Sequence, residues 1–440
     1  MEGRRLHFIG IGGAGMSGLA LVARALGAEV SGSDRADSSY LDRLRAAGIE
    51  PVVGHDAANL PDGAEVVVST AIGDDNPELA KARAGGALVM HRGDLLAEIA
   101  RLKRSIAVAG THGKTTTASM AAHVLVELGR DPAYLIGGEL RSTGTNAAWG
   151  EGEWIVVEAD ESDRSFLKLR PDFAVITNVE LDHHATYRSE GDVEDAFREF
   201  AGQSGRASAW VEAPPTGAQE TFGIDAGDLS ATGLRLEEHG SRFAVDATEV
   251  RLTVPGRHNV LNALAALAAL RAAGVGVAEA APALEGFSGA RRRFEHRGAT
   301  PSGAEVYDDY AHHPTEVRAT LEAARTLGGR RVVAVFQPHL YSRTGMLARD
   351  FGRALALADV VAVLDVYPAR ERAEDHPGVS GVMVARAAAD AGRGRRVYWT
   401  PTQDDAARLL ESILGPGDVL LTLGAGDVDR LAERLVGPTR

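Results

Sequence analysis

Ala107-Val108-Ala109-Gly110-Thr111-His112-Gly113-Lys114-Thr115-Thr116-Thr117 decides how the rest of the chain is read. Ser105–Ala109 is a short apolar run with the character of a buried strand, and the residues from Thr115 onward have helical composition and spacing. A strand that turns through glycines into a helix N-terminus gathers backbone N–H groups and the positive dipole end around a phosphate. Lys114 would add a point charge for the outer phosphates and Thr115 a hydroxyl for Mg²⁺. The strict G-x-x-x-x-G-K-[ST] pattern is not met, because Val108 stands where its first glycine belongs. The coincidence of strand, Gly-Lys-Thr and helix nevertheless reads as an ATP-binding loop rather than a glycine turn before an ordinary helix.

Working outward, the 440-residue length predicts about three domains. A net charge of −14 argues against general nucleic-acid binding, and the lack of cysteine excludes disulfides, thiolate nucleophiles and cysteine metal sites. Any metal must then sit on oxygen or imidazole, which suits Mg²⁺. The N-terminus enters a strand directly without a signal-like apolar segment, and the Ala-rich run Val260–Leu270 is too short to cross a bilayer. These features predict a cytoplasmic protein with no membrane partner.

The expected fold is α/β in three parts: a Rossmann-like N-terminal domain, a central P-loop-type mononucleotide-binding domain and a Rossmann-like C-terminal domain. The expected boundaries are 1–102, 103–295 and 296–440. In the first, strand Leu6–Ile11, the turn Gly12-Gly13-Ala14-Gly15, a helix from about Ser17, and strand Glu29–Ser33 ending at Asp34 make a βαβ opening. That turn serves a UDP-type ligand, a dinucleotide, or packing alone. In the second, strands Trp154–Ala159 and Phe173–Thr177 carry Glu158 and the run Asp182-His183-His184 to the crevice beside the phosphate loop. Glu158 is placed to complete an Mg²⁺ shell opposite Thr115, and His183 to hold a second Mg²⁺ or the transferring phosphate. Asn259 and Asn262 share a helical face, either to read an adenine edge or to cap the helix. Arg291-Arg292-Arg293 is either a solvated patch or a clamp for phosphate charge. No Ser–His–Asp order and no HExxH is present; phosphate binding recurs instead. Two nucleotide-type sites suggest ATP energy spent on a substrate with its own nucleotide handle. A carboxylate activated as an acyl phosphate and attacked by an amine, with His312 taking the proton or holding the developing oxyanion, would make an amide-bond ligase.

The segments HFIGIGGAGMSGLA (7–20), AGTHGKTTT (109–117), VEADESD (157–163), NVELDHH (178–184), GRHNVLNALAA (256–266), RRRFEHRG (291–298), DDYAHHPTE (308–316), FQPHLYSRT (336–344) and LGAGDV (423–428) together resemble the Mur ligase family of cell-wall synthesis, over essentially the whole chain. The resemblance implies that Gly110, Thr111, His112, Gly113, Lys114, Thr115 and Thr116 bind ATP, that Thr115 and Glu158 hold one Mg²⁺, and that His183 holds the other. It further implies adenine contacts from Asn259 and Asn262, with Arg293 and Asp309 completing the nucleotide site. Gly13, Gly15, Asp34 and Thr70 would contact the UDP-sugar. Tyr310, His312 and Arg343 would face its carboxylate and the incoming amine, with the third domain swinging onto the second.

Within the family the pattern is similar to the member that joins L-alanine to UDP-N-acetylmuramate, as a monomer or homodimer, serving peptidoglycan synthesis and hence cell shape and division. The chain carries no lysine after His183, as that member does not need the carbamylated lysine of later-step ligases. It departs from the family in Leu340, where arginine is frequent, and in His184-Ala185, where Met-Asp is frequent. The alternatives are a recycling ligase that attaches a whole tripeptide, an NAD-dependent oxidoreductase built on the first glycine turn, and a non-catalytic nucleotide sensor.

Overall fold

In the computed structural model, which describes residues 1–436, three sheets follow one another along the chain. The first has five parallel strands in the order Val52–Val53, Glu29–Asp34, Arg5–Ile9, Glu65–Val68, Val89–His91. Strand order reverses beside Arg5–Ile9, so the glycine turn that follows it opens at a topological switch point. Leu6, Phe8, Val66 and Val67 are fully buried, as expected for parallel strands covered on both faces. The helix after the turn runs Ala14–Ala25, three residues earlier than its sequence suggests. Gly13 caps it in extended conformation, and Gly15 and Gly18 lie inside it.

The second sheet has ten strands and holds the phosphate loop near its middle. Arg104–Ala109 pairs in parallel with Phe173–Ile176 on one side and Trp154–Glu158 on the other, in a register that sets Val108 opposite Glu158 and Ala109 opposite Ile176. The hairpin Ala133–Leu140 and Thr145–Ala148 forms one edge, and strands from 206 to 252 extend the other. The first sheet and most of the second belong to one compact unit made of 1–233, 243–250 and 260–287. Its main core joins Phe8 and Leu19 of the first sheet's layer with Ala107, Val157, Phe166 and Phe197 of the second. Gly18 allows this approach: a Cβ there would lie 3.2 Å from Asn146 and Ala147 and 3.3 Å from Leu135.

The other unit, centred on 288–436, contains a six-stranded sheet ordered Glu295–Ala299, Glu305–Asp309, Val419–Leu423, Val332–Phe336, Val360–Val363, Arg396–Trp399. Its first pair is antiparallel and the rest are parallel. Asp309, Leu423 and Phe336 stand in register at the carboxyl ends of three neighbouring strands, so the loops 310–313, 424–428 and 337–340 emerge side by side. No helix among the described residues is long and apolar enough to cross a membrane.

Candidate active site

The phosphate loop is fixed by hydrogen bonds to the segment after the strand Phe173–Ile176. Gly110 and Gly113 have φ of +134° and +81°, and a Cβ at Gly110 would fall 2.0 Å from Thr177 Oγ1. The backbone N–H of His112 donates to Asn178 Oδ1 at 2.8 Å, while Asn178 Nδ2 donates to the His112 carbonyl at 2.9 Å. Thr111 Oγ1 donates to the Glu180 carbonyl at 3.0 Å and accepts from its N–H at 2.9 Å. The segment that follows the strand Phe173–Ile176 therefore clamps the loop from one side.

The neighbouring strand Trp154–Glu158 supplies the carboxylate. Thr115 Oγ1 lies 3.0 and 3.2 Å from the Glu158 oxygens, and the Gly137 N–H donates to Glu158 Oε2 at 2.8 Å. Two hard oxygens about 3 Å apart match adjacent corners of an octahedral Mg²⁺ shell with bonds of about 2.1 Å, so this donor pair fits the metal that the sequence implies. Lys114 Nζ donates to the carbonyls of Gly110 at 2.6 Å and Thr111 at 3.1 Å and lies 2.8 Å from Glu161 Oε2. Burial opposes its charge, but Glu161, Asp160 and Glu158 outweigh burial and hold its pKa above the ordinary lysine value. Glu161, 1% exposed, also stands 3.4 Å from His183 Nε2. Neither of its oxygens has hydrogen-bond alignment despite the short distances, so these contacts act as ion pairs. His183 occupies the left-handed region at φ +53°; burial opposes its protonation, while Glu161 and Asp182 prevail and raise its pKa.

Lys114, Thr115, Glu158 and His183 thus lie within one unit at adjoining strand ends. Asn262 joins them, its Oδ1 3.4 Å from Thr117 Oγ1 and beside Gly113. Asn259 donates from Nδ2 to the Pro255 carbonyl at 2.7 Å, a bond within the helix entry. In the first sheet's layer, Asp34 Oδ2 accepts from the Gly12 N–H at 2.8 Å, so this carboxylate shapes the glycine turn. Gly13 caps the helix there, Gly15 is in its first turn, and Thr70 is exposed at the end of the strand Glu65–Val68.

The third sheet gathers a separate set. Asp309 accepts from the N–H of Phe294 at 2.7 Å and of Ala311 at 2.8 Å; burial pushes its carboxyl up to about 6, against the pull of Arg293 and those amides. The arginine triplet resolves into different roles. Arg292 donates to Asp308 at 2.9 Å and to the carbonyls of Gly424 and Gly426 at 2.8 and 3.0 Å, tying two loops together. It is a part-buried tie and not a solvated group. Arg293 lies over the Tyr310 ring at 5.2 Å. His258 is driven down to about 4, first by burial and then by Arg293. His312 Nδ1 lies 3.0 Å from the Tyr310 carbonyl, which can only accept, so Nδ1 carries the proton in the neutral ring and Nε2 the lone pair. Arg343 is buried in the first turn of helix Tyr341–Leu355. Leu340, at φ +68°, precedes that helix and gives no charge.

Sequence reasoning left Glu161, Asn178 and Arg92 without roles. Glu161 was visible inside the acidic run after Glu158, and Asn178 as the first polar residue past a buried strand. Arg92 had no local signal: its partners Asp160 and Asp163 are 68 and 71 residues away.

This fold and these strand-end groups define an α/β enzyme of three modules that handles nucleotide phosphates. The chain belongs to the Mur ligase family: the models for the Mur ligase family catalytic domain, the Mur ligase middle domain and the Mur ligase glutamate ligase domain match residues 5–104, 108–270 and 292–426. It is 46% identical to the UDP-N-acetylmuramate–L-alanine ligase of Rubrobacter xylanophilus, over 98% of this chain and 99% of that one. It is 47% identical to the enzyme of the same name from Streptomyces coelicolor, over 98% and 97%. The crystal structure of UDP-N-acetylmuramate-alanine ligase from Thermotoga maritima superposes with a TM-score of 0.86 at 32% identity, covering 98% of each chain. A murein peptide ligase from Psychrobacter arcticus gives 0.74 at 26% identity, again over 98% of each.

Proposed function

We propose that the chain is an ATP- and Mg²⁺-dependent ligase that joins L-alanine to the lactyl carboxylate of UDP-N-acetylmuramate through an acyl phosphate, in the cytoplasmic synthesis of peptidoglycan precursors. The observation that carries this reading is the meeting of Lys114, Thr115, Glu158 and His183 at the ends of adjacent parallel strands. Residues 1–102 bind the sugar nucleotide, 103–295 bind ATP, and 296–440 close over ATP and receive the amino acid.

In this reading the loop 110–116 and Lys114 hold the triphosphate, and Thr115 with Glu158 holds Mg²⁺, whose charge offsets that of the phosphates. His183 holds a second Mg²⁺ or the transferring phosphate. Asn259, Asn262, Arg293 and Asp309 hold the adenosine. Gly13, Gly15, Asp34 and Thr70 contact the sugar nucleotide, with Asp34 acting through the turn that it shapes. A lactyl carboxylate oxygen bonds to the γ-phosphorus as its bond to the β-phosphate oxygen breaks, releasing ADP. The neutral amine of alanine then bonds to the acyl carbon, phosphate leaves, and the amine proton passes to His312 Nε2, the nitrogen left with a lone pair. Tyr310 and Arg343 orient the carboxylates, and with Leu340 uncharged the positive charge at this place rests on Arg343.

A recycling ligase that attaches a whole tripeptide would use the same groups. The closer identity to alanine-adding relatives, 46–47% against 26% for the murein peptide ligase, favours alanine. The family relationship leaves no support for the NAD reading. Phosphate release from ATP with UDP-N-acetylmuramate tests the proposal: release with L-alanine and not with the tripeptide supports it, and release with the tripeptide alone rejects it.

A further inference from the structure

The first two sheets meet at a seam where Arg92 stands among several carboxylates. Arg92 opens helix Arg92–Ala100 and reaches across to the loop after Glu158, where its Nη2 lies 2.6 Å from Asp160 Oδ2 and 3.4 Å from Asp163 Oδ2. His91 Nδ1 accepts from the Gly93 N–H at 3.1 Å, so the neutral ring carries its proton on Nε2, 3.3 Å from Asp163. Gly93 packs so closely that a Cβ would fall 2.7 Å from that of Ser165. The guanidinium is thereby held from one end.

Its other end faces a cavity of about 230 Å³ lined by Gly15, Gly137, Glu158, Asp160 and Phe166 among others, in which Arg92 is the sole cationic lining residue. Arg92 donates to both aspartates from Nη2. Nη1 lies 3.2 Å from the position that a Cβ on Gly15 would take, so glycine there leaves the guanidinium open to the cavity. Glu158 and Asp160 would repel an anionic ligand entering this space. A fixed guanidinium offsets that repulsion and offers directed donors to an oxyanion.

We propose that Arg92 contacts the substrate directly: Nη1 donates to an oxyanion of the sugar nucleotide between the glycine turn and Glu158, while Asp160 and Asp163 hold Nη2. This rests on the sugar-nucleotide reading above. The oxyanion belongs either to the diphosphate or to the lactyl carboxylate, and calorimetric titration of the full-length protein with UDP and with UDP-N-acetylmuramate separates the two.

Arg92→Ala and Arg92→Lys are compared with Lys168→Ala, which removes an ion pair to Asp94 (2.7 Å) at the same seam but outside the cavity. Both Arg92 variants are expected to weaken UDP-N-acetylmuramate binding by about tenfold or more, with the KM for ATP within about twofold of wild type. Lys168→Ala is expected to change neither by more than about twofold. Weakening of UDP as well assigns the contact to the diphosphate; weakening of UDP-N-acetylmuramate alone assigns it to the carboxylate. If Arg92→Lys binds both ligands like wild type, or if Lys168→Ala weakens binding as much as the Arg92 variants do, Arg92 is a seam residue only and the proposal fails. Wild-type protein that binds neither ligand overturns the sugar-nucleotide reading itself, a distinct result.

Discussion

Lys114 is the residue on which the two nucleotide sites separate. Its ammonium is committed to the Gly110 and Thr111 carbonyls of the phosphate loop and to Glu161. Lys114→Ala should therefore reduce turnover by about 10³-fold or more while the affinity for the sugar nucleotide, measured by calorimetry, stays near wild type. Loss of both together would contradict separate sites. Glu158 makes a different prediction, because its oxygens face Thr115 and the Gly137 N–H. Glu158→Ala should raise the Mg²⁺ concentration needed for half-maximal rate by about tenfold or more. An unchanged Mg²⁺ titration would remove Glu158 from the metal shell.

At the scale of elements, the buried Glu78 ties together strands Arg5–Ile9 and Glu29–Asp34 and helix Pro77–Ala84. It accepts from Ser33 Oγ at 2.6 Å, Asn59 Nδ2 at 3.0 Å and the Asp56 N–H at 3.1 Å, and lies 2.9 Å from His7 Nε2. Burial alone would raise its pKa, but the hydrogen bonds from His7, Ser33 and Asn59 prevail and bring it down to about 2. A carboxyl with a depressed native pKa adds stability above its unfolded value, near 4.5, and loses that stability as pH falls toward about 2. Glu78→Gln should cost about 3 kcal/mol at neutral pH and flatten the acid limb of the stability curve between those values, as read by denaturant titration. An acid limb identical to wild type would contradict this.

The helix after the first glycine turn shows where reading by sequence stops. Glycines weaken a helix, so GGAG reads as a turn and the helix as starting near Ser17. Its true start at Ala14 places Gly15 and Gly18 inside, and at Gly18 the 133–148 hairpin packs so closely that a Cβ would stand 3.2–3.3 Å from Asn146, Ala147 and Leu135. Packing between domains overrides local propensity here, and no local pattern reports it.

Across the whole molecule, the alternation of apolar runs with glycine turns was enough to read three α/β modules, because each buried parallel strand ends in the polar residues that line its crevice. The same rule made Glu158 and His183 legible beside Thr115: the strands that lead to them flank Arg104–Ala109, the strand that leads to Thr115. Contacts that join strand ends to distant helices were not legible. Arg92 with Asp160, and Arg292 with the 424–426 loop, lie 68 and more than 130 residues apart. The arginine triplet shows the consequence, since one patch in the sequence became a structural tie at Arg292 and a ring contact at Arg293.

The account turns on ATP activating the substrate carboxylate at the Lys114–Glu158–His183 site. UDP-N-acetylmuramate labelled with ¹⁸O in its lactyl carboxylate, turned over with ATP and L-alanine, tests this most directly by mass analysis of the phosphate released. Formation of an acyl phosphate transfers one carboxylate oxygen, so labelled phosphate is the predicted result. Amide product accompanied by unlabelled phosphate would contradict it.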